Sequence, residues 1–462
     1  MLSNACLRFI THKTLTLNAN PNPNPNPNPE SQGHPPAAVD HTVIENVSEK
    51  LPCHYEIEVC SKLVCKDTRV ERLKSSPRRS KARKLTKEEE DEHEEEVQDE
   101  HEEENEEEEE VNDHVPTREE QKDAQERVKA MFYHSYDAYM EHAFPAAELR
   151  PLSCSGGKFD LVKIPMVTLI DSLDSLVVLG NYTEFRRAVG LITTQLHDFD
   201  LDVPVSLFET TIRVLGGLLS AHLMAVDGSL GIYADVPADE AYRGHLLQLS
   251  IDLGQRLLPA FGTDTGIPYG TVNLRYGVPK GETEIASTAG AGSLSVEFEV
   301  LSRLSGDARF GDAALKAAAG LYKRRSAIGL LGKHIHTRTG KWYESVSGIG
   351  SNSDSFYEYL LKAYLLFRDD SHYEMFTETY AAVKEYVQDG TWFGDVDMFS
   401  GKSRRHRSEN LQAFWPGMEA SLGLLDSSAA LLNSFYAVWS DMGLFPEEFD
   451  YANWQPGKVP EP

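Results

Sequence analysis

The chain is short of cysteine, of long apolar runs and of positive charge, and each shortage removes a class of protein. Five cysteines in 462 residues, at Cys6, Cys53, Cys60, Cys65 and Cys154, are too few and too clustered for a disulfide scaffold. Cys60 and Cys65 lie close together, but no His/Cys pair follows at zinc spacing, which argues against a metal finger. No run of 18 or more apolar residues occurs, so no membrane-spanning helix is expected. Met1–Leu17 lacks the continuous apolar core of a signal peptide. Lys and Arg number 45 against 73 Asp and Glu, a formal net charge of −28. A binder of nucleic-acid phosphates needs a basic face, and the later part of the chain offers only the short Lys402–Arg407 run. Nucleic acid is therefore not an expected partner.

What is present divides the chain in three. Residues 1–117 carry about 14 basic against about 27 acidic residues and few apolar runs. Such a segment cannot bury enough surface to offset its chain entropy, and is expected to be a disordered low-complexity region. It holds an Asn-Pro repeat, Asn18–Pro29, whose prolines block helix, then a basic stretch, Lys74–Lys87, and an almost wholly acidic one, Glu88–Glu110. Residues 118–450 change to helical periodicity and are long enough for one large core. Helices are expected near 118–143, 166–179, 183–197, 206–225, 238–258, 286–304, 309–325, 354–367, 371–388, 408–421 and 426–441. The alternation in HIHTRTGKWYES, 334–345, reads instead as a hairpin around a Thr-Gly turn. Short connections make the helices antiparallel neighbours in an all-α toroid or bundle. Residues 451–462 read as an irregular tail. Two N-x-S/T triplets, at Asn46 and Asn181, are candidate glycosylation sites and mildly favour a lumenal protein.

Four stretches carry charge in apolar surroundings. In SLFETTIRVLGGLLS, 206–220, Glu209 and Arg213 are four apart and share a helix face. A surface ion pair would look the same, but these are the only charges in a segment that is otherwise apolar or small, which points to burial with a function. In SNSDSFYEYLLKAYLLF, 351–367, Asp354 opens a helix that Ser351 or Ser353 can cap, and Glu358 follows one turn on among Tyr357, Tyr359, Leu360 and Leu361. Carboxylates among aromatic rings suit a sugar site, although a carboxylate at a helix start is also favoured by the helix dipole alone. In SLSVEFEVLSRL, 293–304, Glu299–Arg303 reads as a surface pair and Glu297 as ambiguous. In TLIDSLDSLVVLG, 168–180, Asp171 and Asp174 serve capping as readily as catalysis.

These blocks together resemble glycoside hydrolase family 47, the class I α-1,2-mannosidases, and within it the ER degradation-enhancing branch. FYHSYDAYMEHAFPAAELRPLSC (132–154), TLIDSLDSLVVLG, LFETTIRVLGGLLSAH (207–222), GIPYGTVNLRYGV (266–278), SDSFYEYLLKAY (353–364) and LQAFWPGM (411–418) occur in the family's order. The resemblance implies an (α/α)7 barrel and inverting removal of α-1,2-linked mannose from high-mannose N-glycans of misfolded glycoproteins, with calcium bound. It implies Glu209 as general acid, Arg213 as its orienting or sugar-holding partner, and Asp354 as the carboxylate acting through water. Glu297 and Glu358 would belong to the acidic shell around the sugar. It implies residence in the endoplasmic reticulum among the machinery of ER-associated degradation. Cys154 falls at a cysteine associated in this branch with disulfide pairing, within the chain or to an oxidoreductase. The family's Arg-Pro-Glu segment and its calcium-ligating threonine have no counterpart before Pro462, so a barrel incomplete at its C-terminal end is expected. The alternatives are a catalytically inactive, lectin-like binder of glycans or clients, and a non-functional truncated product.

Overall fold

Apolar residues at three- and four-residue spacing close into helices along the chain from Arg118 to Met442. The computed structural model describes residues 116–237 and 240–457. Residues from Val128 onward form one compact unit, and 116–127 belong to another. The Asn-Pro, basic and acidic stretches, Asn46 and the four cysteines before Cys154 lie outside the described residues.

The compact unit is built from helical hairpins. The long helix α1, Arg118–His142, buries Tyr136 and Tyr139. The Tyr136 hydroxyl donates to Glu184 at 2.5 Å and the Tyr139 hydroxyl to the Ala146 carbonyl at 2.8 Å. Two short helices follow, α2 (Val167–Asp171) and α3 (Leu173–Val178), and then α4, Tyr182–Gln195. The rod α5 consists of Leu207–Glu209, a π-helical turn Thr210–Leu215, and Gly216–Ala225. Beyond it come α6 (His245–Leu257), α7 (Thr288–Gly292), α8 (Ser295–Ser305) and α9 (Arg309–Tyr322). The last four are α10 (Asp354–Phe367), α11 (Asp370–Tyr386), α12 (Trp415–Ser421) and α13 (Leu425–Met442).

Five hairpins, α3/α4, α5/α6, α8/α9, α10/α11 and α12/α13, pack side by side among the described residues. Their first members form an inner row, since α3 touches α5, α5 touches α8, α8 touches α10 and α10 touches α12. Burial agrees with that order. Every residue from Gly216 to Ala225 is buried, as a helix apolar all round requires. By contrast α13 buries Leu431, Phe435 and Val438 and exposes Leu432, Tyr436 and Trp439. Two apolar clusters fill the unit. One is centred on α2–α6 and α8, the other on α9–α13, where Trp415 is fully buried.

Short strands lead into the inner helices. Pro204–Ser206 pairs antiparallel with Thr271–Asn273 and runs directly into α5. Ile285–Ser287 pairs with His334–His336 and runs into α7. The expected hairpin at 334–345 is present, His334–His336 against Trp342–Glu344, as part of that three-stranded sheet. Arg407–Glu409 pairs with Glu448–Asp450 and precedes the turn into α12.

The differences from the sequence reading have local causes. The helix expected from 238 begins at His245, behind Gly244 at φ 83°, a left-handed geometry that a helix interior does not hold. The segment expected at 286–304 breaks into α7 and α8 at Ser293–Leu294. There a Cβ on Gly292 would lie 2.4 Å from the Phe356 ring, so α7 packs too closely on α10 to continue along α8. The segment expected from 408 begins as a strand, because Ser408 takes a ladder position opposite Phe449. Ser353 occupies the cap position of α10 but makes no side-chain cap. Its hydroxyl donates back to the Gly348 carbonyl at 2.8 Å.

Candidate active site

Glu209 owes its position to the entry of α5. Ser206 caps that helix by accepting the Glu209 N–H at 3.3 Å. In a capping box the glutamate at this position would reach back to the cap residue's N–H. Here the Ser206 N–H is already given to the Leu161 carbonyl at 2.7 Å. The Glu209 carboxylate is therefore free to meet Arg213, whose Nε donates to Oε2 at 2.7 Å. Arg213 lies in the π-helical turn, a local widening often found where a helix serves a site. Its guanidinium also reaches Asp171 at 3.5 Å and lies over the Phe159 ring at 5.5 Å. Glu209 lines a cleft of about 290 Å³ with Phe208, Tyr269, Ser287, His334 and Asn352. Arg213 lines a neighbouring cleft of about 310 Å³ with Asp171, Thr168, Ser172 and Ser175. Asp171 therefore joins the Arg213 pair. The walls of its cleft push its carboxyl up, and Arg213 pulls it back.

Asp354 stands at the first residue of α10, two residues beyond the cleft-lining Asn352. Asn352 itself has φ 72°, a left-handed geometry that asparagine tolerates. The Asp354 carboxylate accepts the Ser355 N–H at 2.8 Å. Burial pushes it up to about 6, the Ser355 N–H opposes that shift, and Glu358 and Glu409 add to it. One turn on, Glu358 accepts from Lys362 at 2.5 Å, and its other oxygen is buried with no hydrogen-bond partner.

Glu297 on α8 is fully buried, which resolves its ambiguity in favour of the interior. Its Oε1 accepts from the Tyr359 hydroxyl at 2.9 Å, and Oε2 is without a partner. Burial pushes its carboxyl up to about 7. It packs on α5, since a Cβ on Gly216 would lie 3.6 Å from its Cγ. Glu299–Arg303 is a partly exposed pair at 2.7 Å, with Arg303 lying over the Phe367 ring.

Three charged residues behind the loop that leads into Asp354 were not singled out from the sequence: Lys333, Asp395 and Glu409. Lys333 is buried, 3.2 Å from Asp395 and 3.5 Å from Glu409. The Glu409 carboxylate also accepts the Ser351 N–H at 2.6 Å. In the sequence Glu409 is hidden behind the basic run ending at Arg407. Lys333 shows only as a lone cation before a hairpin, a pattern that a solvated lysine shares. Asn181 caps α4 by accepting the Glu184 N–H at 3.1 Å, and its side-chain amide donates to Tyr133 at 2.9 Å. Cys154 is exposed in the turn between Glu148–Arg150 and Ser155–Gly157, at φ 47°, and is the only cysteine among the described residues.

Carboxylates in the first turns of inner helices, with aromatic and hydroxyl groups around a cleft, sit on a toroid of helical hairpins, the (α/α) barrel class. The glycosyl hydrolase family 47 model matches residues 131–461, and the chain belongs to that family. It is 47% identical over 334 residues to alpha-mannosidase I MNS4 of Arabidopsis thaliana, covering 72% of this chain and 52% of that protein. It is 44% identical over 330 residues to human ER degradation-enhancing alpha-mannosidase-like protein 2, covering 71% and 55%. The chain thus spans about half the length of these curated relatives. Its structure matches the alpha-1,2-mannosidase from Trichoderma reesei with a TM-score of 0.61 at 25% identity, over 73% of this chain and 74% of that one. The fold is of the family's (α/α)7 barrel type, with five helical hairpins among the described residues, and the chain falls in the ER degradation-enhancing branch.

Family 47 proteins are generally calcium-dependent. Calcium takes six to eight oxygen ligands. The unpartnered oxygens of Glu297 and Glu358 are of the right chemistry. Among the described residues, however, no group of three or more acidic, His or Cys side chains converges to hold a metal ion. The described residues do not by themselves make a calcium site, and no step below runs through one. No described helix is long and apolar enough to cross a membrane.

Proposed function

We propose that this chain is an inverting α-1,2-mannosidase acting on high-mannose N-glycans. The observation that supports the reading is that Glu209 lines a cleft together with Asn352, two residues before Asp354, with Glu209 in the first turn of one inner helix and Asp354 at the first residue of another. Glu209 is the general acid, giving its proton to the departing glycosidic oxygen. Arg213 holds Oε2, so the carboxyl presents Oε1 to the sugar. Asp354 takes a proton from the water that attacks the anomeric carbon from the opposite face. Inversion needs room for that water between the two carboxyl groups, roughly 6.5–9.5 Å. A carboxyl raised to about 6 is a stronger base than a free aspartate and remains ionised at neutral pH. Glu358, one turn beyond Asp354, is the acceptor we assign to the sugar's hydroxyls, while Glu297, fully buried against Tyr359, backs the site from the interior and does not touch the sugar.

Relatives named ER degradation-enhancing alpha-mannosidase-like proteins support a setting in the endoplasmic reticulum, and the substrates we propose there are the N-glycans of misfolded glycoproteins bound for degradation. In that setting the exposed Cys154 thiol is the point at which an oxidoreductase partner would join.

The test is mannose release from a high-mannose N-glycan by the purified chain in calcium-containing buffer, beside Glu209→Gln. Release by the parent, reduced about 10²–10⁴-fold in the variant, is expected for loss of a general acid. Glycan bound by a folded chain without release would overturn the enzyme reading in favour of a lectin-like binder.

A further inference from the structure

Lys333 lies outside the acid–base pair, yet it is the only buried Lys or Arg among the described residues, and its two partners are themselves buried or nearly so. Removing an ammonium from water costs several kcal/mol unless its partners are well placed. What the partners touch explains their placing. Asp395 and Glu409 both lie against the loop 348–353 that leads into Asp354. A Cβ on Gly348 would sit 2.7 Å from Asp395 Oδ1, and a Cβ on Gly350 would lie within contact of Glu409 Oε2. Glu409 Oε2 also takes the Ser351 N–H. The loop closes on itself, with the Asp354 N–H given to the Gly350 carbonyl at 2.9 Å and the Ser353 hydroxyl to the Gly348 carbonyl. Two glycines of this loop are thus seated on two carboxylates, and one ammonium holds those carboxylates together.

We infer that Lys333 is a positioning residue: by clamping Asp395 and Glu409 into a seat for the loop 348–353, it sets where the Asp354 carboxylate meets the sugar. This rests on the mannosidase reading for its catalytic consequence, but not for the clamp itself. The groups facing Lys333 are Asp395, Glu409 and, at longer range, Glu344. Asp395 also feels Arg405, and Asp354 faces Glu358 and Glu409. Without the ammonium, Asp395 and Glu409 repel each other beside Asp354, and the seat opens. Protonating either carboxylate relieves that repulsion.

The experiment compares the full chain with Lys333→Met and with the charge-free Lys333→Met/Asp395→Asn/Glu409→Gln, by melting temperature from pH 5 to pH 8 and by mannose release. The clamp predicts a melting deficit of Lys333→Met that is largest at pH 8 and shrinks toward pH 5, and a smaller, pH-independent deficit in the triple variant. A deficit of Lys333→Met equal at every pH, or a triple variant no better than the single one, would overturn the clamp. Should Lys333→Met not fold, a triple variant that folds supports the clamp, and one that also fails overturns it. For release, a fall in kcat of about 10²-fold with KM little changed is expected, since misplacing a reacting group by about 1 Å costs that much. Unchanged kcat would remove the positioning role. If the parent chain releases no mannose, the enzyme reading falls, while the melting curves still decide the clamp.

Discussion

Glu297 shows what burial does to a single carboxyl. It has one hydrogen-bond donor, Tyr359, where two oxygens need satisfying, and burial raises it from 4.5 to about 7. A carboxyl raised in the folded state holds its proton more tightly there than in the unfolded chain. The folded state therefore loses stability as pH rises from about 4.5 through about 7. Glu297→Gln keeps an acceptor for Tyr359 and removes this titration. Its melting temperature is expected to exceed the parent's at pH 8 and to match it near pH 4.5. A constant offset across that range would contradict the assignment. Asp354 carries a similar prediction for the reaction. Because its ionised form is the proposed base and burial raises it to about 6, mannose release is expected to fall off below about pH 6. In Asp354→Asn release should be lost at every pH. An acid limb near pH 4 would mean that another group is the base.

The helix α5 carries adjacent glycines with opposite demands. A Cβ on Gly217 would meet the Ile170 carbonyl oxygen at 2.7 Å, and backbone cannot step aside as a flexible side chain can. A Cβ on Gly216 would meet nothing closer than 3.5 Å. Gly217→Ala is expected to cost about 1–3 kcal/mol in denaturant unfolding through overpacking against α2. Gly216→Ala should be neutral or stabilising by up to about 1 kcal/mol, from helix propensity. Equal effects of the two substitutions would mean that α2 and α5 do not approach this closely. The hairpins that set these approaches were legible, because short loops and periodic apolar positions specify them locally. The small strands were not. Two- and three-residue ladders such as Pro204–Ser206 with Thr271–Asn273 show too little alternation to register in a sequence, and their partners lie far along the chain.

The whole chain carries a charge of −28, and the part from 118 onward retains about half of it. Self-repulsion among exposed charges is screened as the Debye length falls from about 30 Å at 0.01 M salt to about 8 Å at 0.15 M. The melting temperature is expected to rise between those conditions at pH 7. The Lys333→Met deficit should hardly move, because its carboxylates are shielded from solvent ions. A deficit that vanishes with salt would make the clamp a surface effect.

Sequence alone determined the helical class, the hairpin order and which residues stand as candidates for the chemistry, because all three are written in local spacing: Glu209 with Arg213, and Asp354 with Glu358, are neighbours on one helix before any fold exists. Tertiary structure alone decided which of those carboxyls are buried, and so which are raised. It also decided that Glu297 is interior, and that Lys333, Asp395 and Glu409, 62 and 76 residues from Lys333 along the chain, meet beneath the loop that carries Asp354. Burial and long-range charge pairing arise only when distant segments exclude water together, and no local pattern records that.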